Sequence, residues 1–283
     1  MDLCDIDQIK SLLARHGFRF SKSMGQNFLI ADWVPRDIAA ASGAGAGTGV
    51  LEIGPGIGPL TVRLAERADR VVCVELDRSL LPILAETLRD APNAEVVSGD
   101  VLNTDIPALV KEKFAGLDPI ACANLPYNIT SPAVTALLEA GCFSSLTVMV
   151  QREVARRICA GPGGRDYGAF SIYCQYRTRP ELLFEVPPDC FIPAPRVTSA
   201  VVRMVPHPPP AEVDDPDHFF RTVKAAFALR RKTLLNSLSQ AGPYPKEALS
   251  QALERCGLPE NVRGEQLSIP QFAQLSKALR GLF

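Results

Sequence analysis

The feature that most constrains this chain is a regular alternation of short apolar runs and amphipathic segments between residues 50 and 150. Val50–Ile53, Arg70–Val74, Ala94–Val97, Pro119–Ala123 and Leu146–Val150 read as strands. Pro59–Arg67, Ser79–Leu88, Ile106–Phe114 and Pro132–Glu139 read as the helices between them. Near-continuous apolar strands are expected where both faces of a sheet are covered. The alternation therefore predicts an α/β fold with a parallel sheet. Open sheets of this kind bind ligands outside the carboxyl ends of their strands, which directs attention to the residues that follow each run.

After the first run comes Glu52-Ile53-Gly54-Pro55-Gly56-Ile57-Gly58-Pro59. Gly54 and Gly56 allow a tight turn and close approach of the backbone to a ligand. Pro59 fits the first turn of a helix. The dinucleotide fingerprint needs glycine where Pro59 stands, so that reading fails. The second strand ends in Glu75, a carboxylate placed to take both hydroxyls of a ribose. The third leads to Asp100, which can accept from an adenine amine; the adjacent Leu76 and Val101 join the candidate set. The fourth runs into Asn124-Leu125-Pro126-Tyr127. Here an amide oxygen, a fixed turn and an aromatic face suit a planar base held by its exocyclic amine. A ligand with an adenosine, no phosphates and a cationic centre fits these groups, and S-adenosylmethionine is such a ligand.

Composition narrows the alternatives. The 283 residues suggest roughly two domains. A formal net charge of -1 excludes a globally basic nucleic-acid binder, so any such surface must be local. None of the eight cysteines forms a C-x-x-C pair, and no metal is expected. The acidic start, Met1-Asp2-Leu3-Cys4-Asp5, lacks the order of a signal peptide, and no apolar run reaches membrane-spanning length. A cytoplasmic protein with no membrane partner is expected.

The flanks are less regular. Residues 6–15 have helical spacing, with Ile6, Ile9, Leu12 and Leu13 on one side. A polar and aromatic loop, Phe18–Leu29, precedes a helix that Asp32 can cap. Gly43–Gly49 reads as a flexible connector. Residues 151–179 are rich in arginine, including Arg152 and Arg156. Glu181–Val186 and Val197–Val205 read as further strands, and a stiff polar linker follows at 206–216. The remainder reads as short helices. Arg221, Lys224, Arg230, Arg231 and Lys232 lie there in a stretch without an acidic residue. Phosphate binding is the expected role of these cations if the base held at the strand tip belongs to a nucleic acid. The expected division is residues 1–205 as a cofactor-binding catalytic domain and 206–283 as a small helical domain. His16, His207 and His218 have no partners recognisable from sequence.

Glu52-x-Gly54-x-Gly56-x-Gly58, Glu75, Asp100 and Asn124-Leu125-Pro126-Tyr127 resemble the motifs of class I adenine-N6 methyltransferases, whose sheet is Rossmann-like. Three further segments narrow the resemblance. Gln26-Asn27-Phe28-Leu29 is similar to an N-terminal cofactor-lid motif, which brings Gln26, Asn27 and Leu29 into the cofactor set. Phe191-Ile192-Pro193-Ala194-Pro195-Arg196-Val197-Thr198-Ser199 is similar to a base-stacking loop. Phe227–Asn236 resembles the second-domain motif of the small-subunit ribosomal RNA adenine dimethyltransferases. The match runs from about residue 21 to the C-terminus without departure at a motif position.

The resemblance implies transfer of two methyl groups to N6 of each of two adjacent adenosines near the 3′ end of small-subunit ribosomal RNA. It implies an assembling small subunit as substrate, and a monomeric enzyme is expected. Asn124 and Pro126 would orient the amine, while Tyr127 and Phe191 would clamp the base between them. A large-subunit ribosomal RNA adenine methyltransferase shares the catalytic motif and is the nearest alternative. A DNA adenine methyltransferase usually has proline where Leu125 stands. A ribosome-assembly factor acting by binding alone would not need the cofactor groups.

Overall fold

A computed structural model defines residues 1–20 and 25–281 of the protein. Ser21–Met24, part of the loop expected ahead of the first helix of the sheet, lie outside the described residues. Packing divides the chain into two units, one of residues 1–155 and 181–206 and one of 156–180 and 207–283. The arginine-rich segment 156–180 thus packs with the second unit, whereas its sequence had placed it in the first. The reason is apolar: Tyr167, Ile172 and Tyr176 belong to the second unit's core.

Nine strands are present among the described residues. They are β1 (Phe28–Leu29), β2 (Thr48–Ile53), β3 (Arg70–Glu75), β4 (Ala94–Ser98), β5 (Asp118–Asn124), β6 (Ser145–Gln151), β7 (Thr178–Val186), β8 (Phe191–Ile192) and β9 (Ser199–Pro206). Seven form one sheet in the order β4-β3-β2-β5-β6-β9-β7. The first five run parallel, and β9 joins antiparallel to β6. The expected α/β architecture is present, each expected strand and helix within a few residues of its place. The chain builds outward from β2 to β4 and then returns to lay β5 on the other side of β2. This reversal opens a crevice beyond the tips of β2 and β5.

The pleat decides which tip residues face which layer. Val50, Val71, Cys73, Ile120 and Cys122 lie in one core cluster, packed by Val34 and Ile38 of the helix Trp33–Ala41 and by Leu60 and Leu64 of Pro59–Ala65. Each fully buried aliphatic side chain contributes roughly 1.5–3 kcal/mol, which fixes these helices on the sheet. Side chains two apart on a strand share a face. Glu52, Glu75 and Asn124 therefore continue that face beyond Val50, Cys73 and Cys122. The register supports this, with Glu52 opposite both Cys73 and Cys122.

Some local expectations need correction. Ile6 is exposed rather than buried with Ile9, Leu12 and Leu13. Asp32 stands at the start of its helix without capping it through its side chain. Its carboxylate instead pairs with Arg63 at 2.7 Å. The glycine-rich connector ends two residues early, because Thr48 and Gly49 already belong to β2. Gly49 is required there, since a Cβ would fall 2.5 Å from the Phe114 ring.

The second unit is helical. Ala169–Arg177, Pro216–Ala226, Leu234–Ala241, Lys246–Arg255 and Ile269–Arg280 surround a core that includes Phe219, Leu234, Leu238 and Phe272. Three of these helices begin on side-chain caps from Asp215, Thr233 and Ser268.

Candidate active site at the strand tips

The crevice lies within the first unit, outside the carboxyl ends of the parallel strands. Its walls are the tips of β2, β3, β4 and β5 and the segment around β1. Of the residues singled out for cofactor or base, it brings together Gln26, Asn27, Leu29, Glu52, Gly54, Gly56, Glu75, Leu76, Asp100, Val101, Asn124, Pro126 and Tyr127.

Gly54 and Gly56 adopt φ of 65° and 62°, in the left-handed region that disfavours a side chain. A Cβ on Gly56 would sit 3.3 Å from the Phe28 ring. The loop is thus an open cradle of backbone beneath β1. Gly58 is different: it does not line the crevice. It starts the helix Pro59–Ala65 at φ 94°, and a Cβ there would meet Leu88 at 3.1 Å. Its role is helix packing rather than ligand contact.

The two glutamates behave differently. Glu52 is 1% exposed, and its carboxylate accepts from Thr61 Oγ1 at 2.6 Å and Cys73 Sγ at 3.3 Å. Burial pushes it up to about 7, against the pull of those two hydrogen bonds. Burial likewise pushes the Cys73 thiol well up, so it stays a donor. Glu52 therefore braces the cradle from below. Glu75 is also pushed up to about 7 by burial. It accepts the Asp77 backbone N–H at 2.7 Å and bonds the backbone of Gly56 and Leu76, tying the glycine loop to β3.

Asp100 accepts from the Leu102 N–H at 2.9 Å and the Asn103 side chain at 2.8 Å. These bonds hold it at the tip of β4, and a carboxylate has lone pairs to spare. Gln26 donates to Asp77 at 2.6 Å, fastening the segment before β1 to the end of β3. Asp77, Phe28, Leu125 and Ser199 were not singled out for roles in the site. Asp77 follows Glu75 by two positions and Phe28 sits inside a quoted motif, so proximity alone would have found both.

Asn124 is the last residue of β5, half-buried, and its side-chain amide has no hydrogen bond among the described residues. The Pro126 carbonyl accepts from the Ile129 N–H and Thr130 Oγ1, each at 3.2 Å. Tyr127 is half-buried, and its hydroxyl meets Ser199 Oγ at 2.6 Å. Burial raises this phenol, which stays neutral.

Phe191 is a correction. It was expected to clamp a base, but it does not line the crevice and is 3% exposed. Antiparallel pairing of β8 with β1 sets Phe191 opposite Leu29, and its ring packs in the core with Val186, Cys190 and Val201. The histidines are also corrected. His16 Nε2 bonds Glu86 at 2.7 Å, His207 Nε2 bonds the Gln175 carbonyl at 3.1 Å, and His218 contacts Ser276 and Tyr244. None lines the crevice.

Comparison with known proteins resolves what this geometry belongs to. The family model "Ribosomal RNA adenine dimethylase" matches residues 17–280. The chain belongs to the ribosomal RNA adenine dimethylase family. A ribosomal RNA small subunit methyltransferase A of Geobacillus thermodenitrificans is 46% identical over 100% of this chain and 98% of its own. Its namesake in Alkaliphilus oremlandii is 45% identical over 95% of each chain. Among solved structures, the 23S rRNA methyltransferase ErmE has a TM-score of 0.67 at 27% identity, covering 90% of this chain and 100% of its own. A dimethyladenosine transferase from Plasmodium falciparum has a TM-score of 0.70 at 24% identity, covering 87% of this chain and 95% of its own, and supports the Rossmann-like fold.

The cofactor of this dimethylase is S-adenosylmethionine. The crevice fits it: a cradle that a Cβ on Gly56 would crowd, a buried acid at the tip of β3, and apolar lining from Leu76 and Val101. Among the described residues no cluster could hold a metal ion, and no helix is long and apolar enough to cross a membrane.

The basic residues fall in both units. Arg152 lies in the first, paired with Glu185 at 3.1 Å. Arg156, Arg221, Lys224, Arg230, Arg231 and Lys232 lie in the second, all exposed. Arg230 donates to the Arg165 carbonyl at 2.6 Å and so also anchors a loop.

Proposed function

We propose that this dimethylase transfers two methyl groups to N6 of each of two adjacent adenosines near the 3′ end of small-subunit ribosomal RNA, acting as a cytoplasmic monomer on assembling subunits. The observation that carries the reading is Asn124, a half-buried amide without a hydrogen bond among the described residues, at the tip of β5 in the cofactor crevice. The small-subunit assignment is supported by relatives of that name at 45% and 46% identity across nearly the whole chain.

S-adenosylmethionine supplies a methyl group activated on a sulfonium. Glu75 would hold the ribose hydroxyls, Asp100 the adenine amine, and the backbone of Gly54 and Gly56 would approach closely. Gln26, Asn27 and Leu29 would close that side. Glu52 would act from beneath, by holding Thr61 and Cys73.

The substrate amine is a poor nucleophile, because its lone pair is delocalised into the ring. The Asn124 side-chain oxygen would accept one N6–H. The second acceptor is the Leu125 carbonyl, since that of Pro126 is already taken by Ile129 and Thr130. Pro126 fixes the turn that presents it. Two acceptors favour a pyramidal nitrogen and stabilise the positive charge that develops on it. No strong base is needed, because the methylated nitrogen loses its proton readily. Tyr127 offers a stacking face for a base withdrawn from its helix, worth roughly 1–3 kcal/mol. Arg152, Arg156, Arg221, Lys224, Arg230, Arg231 and Lys232 would meet phosphates.

Primer extension on both subunits after reaction tests the assignment. Stops at two adjacent adenosines of small-subunit RNA are expected. A stop confined to large-subunit RNA would move the protein to the alternative substrate.

A further inference from the structure

A second cleft lies within the second unit. His218, Arg221, Lys224 and Ala225 recur at helical spacing on Pro216–Ala226, with Ala228 in the turn beyond, so one helix face forms a wall. Further lining comes from Gly242, Pro243 and Tyr244, and from Leu279 and Arg280 at the end of the last helix. We propose that this cleft takes one unstacked nucleotide of the ribosomal RNA substrate. Its phosphate would lie on Arg221, Lys224 and Arg280, and its base against Ala228, Pro243 and Tyr244. The inference rests on the reading of the chain as a ribosomal RNA methyltransferase.

The chemistry of the walls points to this ligand. Arg221, Lys224 and Arg280 are exposed; Asp215, whose carboxyl is held low first by the His218 N–H and then by the charges of Arg280, His218 and Arg221, is the carboxylate near them. No carboxylate lines the cleft, whereas small apolar residues do, leaving a smooth slot for a flat ring. A bare anion site would have no use for the slot, and an uncharged ligand none for the cations. Tyr244 is buried in the second unit's core at 8% exposed and reaches the cleft only by an edge, where it is set rigidly: its hydroxyl meets His218 Nε2 at 2.7 Å, while His218 Nδ1 meets Ser276 Oγ at 2.8 Å. Burial, with Arg221 and Arg280 nearby, lowers the His218 pKa against the opposing pull of Asp215, so the imidazole stays neutral near pH 7. Asp215 is engaged at the helix start, accepting the His218 N–H at 3.0 Å. Gly242 allows the tyrosine to come close, because a Cβ there would lie 3.1 Å from its ring. Apolar contact to the base from Ala228, Pro243 and the edge of Tyr244, combined with phosphate contacts, suits a single-stranded nucleotide.

The test separates a nucleotide that enters the cleft from a backbone that crosses it. Full-length Ala228→Trp fills the slot and leaves every charge in place; Arg221→Gln, Lys224→Gln and Arg280→Gln remove charge and leave the slot. Affinity for unmethylated small subunits is measured over a salt series, with thermal unfolding and S-adenosylhomocysteine affinity as folding controls. Ala228→Trp should weaken binding about tenfold without changing the salt slope. Each charge variant should weaken binding and reduce the slope by about one. Ultraviolet crosslinking of the wild-type complex should join the peptide bearing Tyr244 to one nucleotide. Wild-type affinity for Ala228→Trp overturns the proposal, and so does a loss of affinity with no RNA crosslink at that peptide, which would mean a protein occupant. Methyl transfer is scored separately, so a protein that binds but does not methylate defeats the proposed function and not the cleft.

Discussion

At the scale of single residues, the strand-tip acids make the site sensitive to pH. Glu52 and Glu75 are each raised from 4.5 to about 7. A carboxyl raised on folding contributes stability fully below its unfolded pKa, and that contribution is lost as pH rises through the folded one. Between about 4.5 and about 7, therefore, both groups make the ligand-free protein less stable as pH rises. Glu52→Gln should raise the Tm of the ligand-free protein above neutral pH and flatten this part of the profile. An unchanged profile would mean that Glu52 does not titrate in this range. Cofactor binding should run the other way, because the ionised Glu75 is the better acceptor for two ribose hydroxyls. S-adenosylhomocysteine affinity measured by calorimetry should fall several-fold from about pH 8 to about pH 6. Glu75→Gln should bind more weakly and lose that dependence, and a pH-independent wild-type affinity would remove Glu75 from the ribose. The kinds of residue at the tips were legible in sequence, but their surroundings were not. Nothing local says that Glu52 is braced by Thr61 and Cys73, because the partners meet only when β2, β3 and the following helix pack. Phe191 misled for a related reason: its segment resembles a base-stacking loop, but pairing with Leu29 sets its ring in the core.

At the scale of elements, the glycine loop is the part most exposed to strain. Gly56→Ala forces a side chain into the left-handed region and toward Phe28, costing about 1–2 kcal/mol in backbone conformation alone. It should lower both Tm and cofactor affinity. Gly116→Ala is the matched comparison, with φ 82° and open space around a Cβ. It should lower Tm and leave cofactor affinity alone; equal cofactor effects would show that the cradle has no special role. The strands and helices of the sheet were readable because near-continuous apolar runs alternate regularly with amphipathic segments. Two-residue β1 and β8 were not, since each exists only through the other. The helix-start role of Asp32 also failed, because Arg63 competes for its carboxylate at 2.7 Å.

At the scale of the whole molecule, the division of the chain depends on which apolar residues share a core. The polar linker near residue 206 is visible in composition, but the excursion of 156–180 into the second unit is not. Its signal is three large side chains, Tyr167, Ile172 and Tyr176, scattered among arginines. A fragment of residues 207–283 should therefore lack cooperative thermal unfolding, because its core misses these three; a sharp transition in that fragment would contradict the packing described. The division also separates chemistry from most of the expected RNA contacts, since the crevice belongs to the first unit and five of the second unit's exposed cations lie between residues 221 and 232. The central claim is that Asn124 orients a ribosomal adenine for double methylation in that crevice. The most direct measurement is nucleoside mass spectrometry of small-subunit RNA after reaction with S-adenosylmethionine, comparing wild type with Asn124→Ala, with particle and cofactor binding measured in parallel. The account predicts N6,N6-dimethyladenosine from the wild type and a loss of at least about a hundredfold from the variant, with both binding affinities retained. Dimethyladenosine formed at the wild-type rate by Asn124→Ala would contradict it.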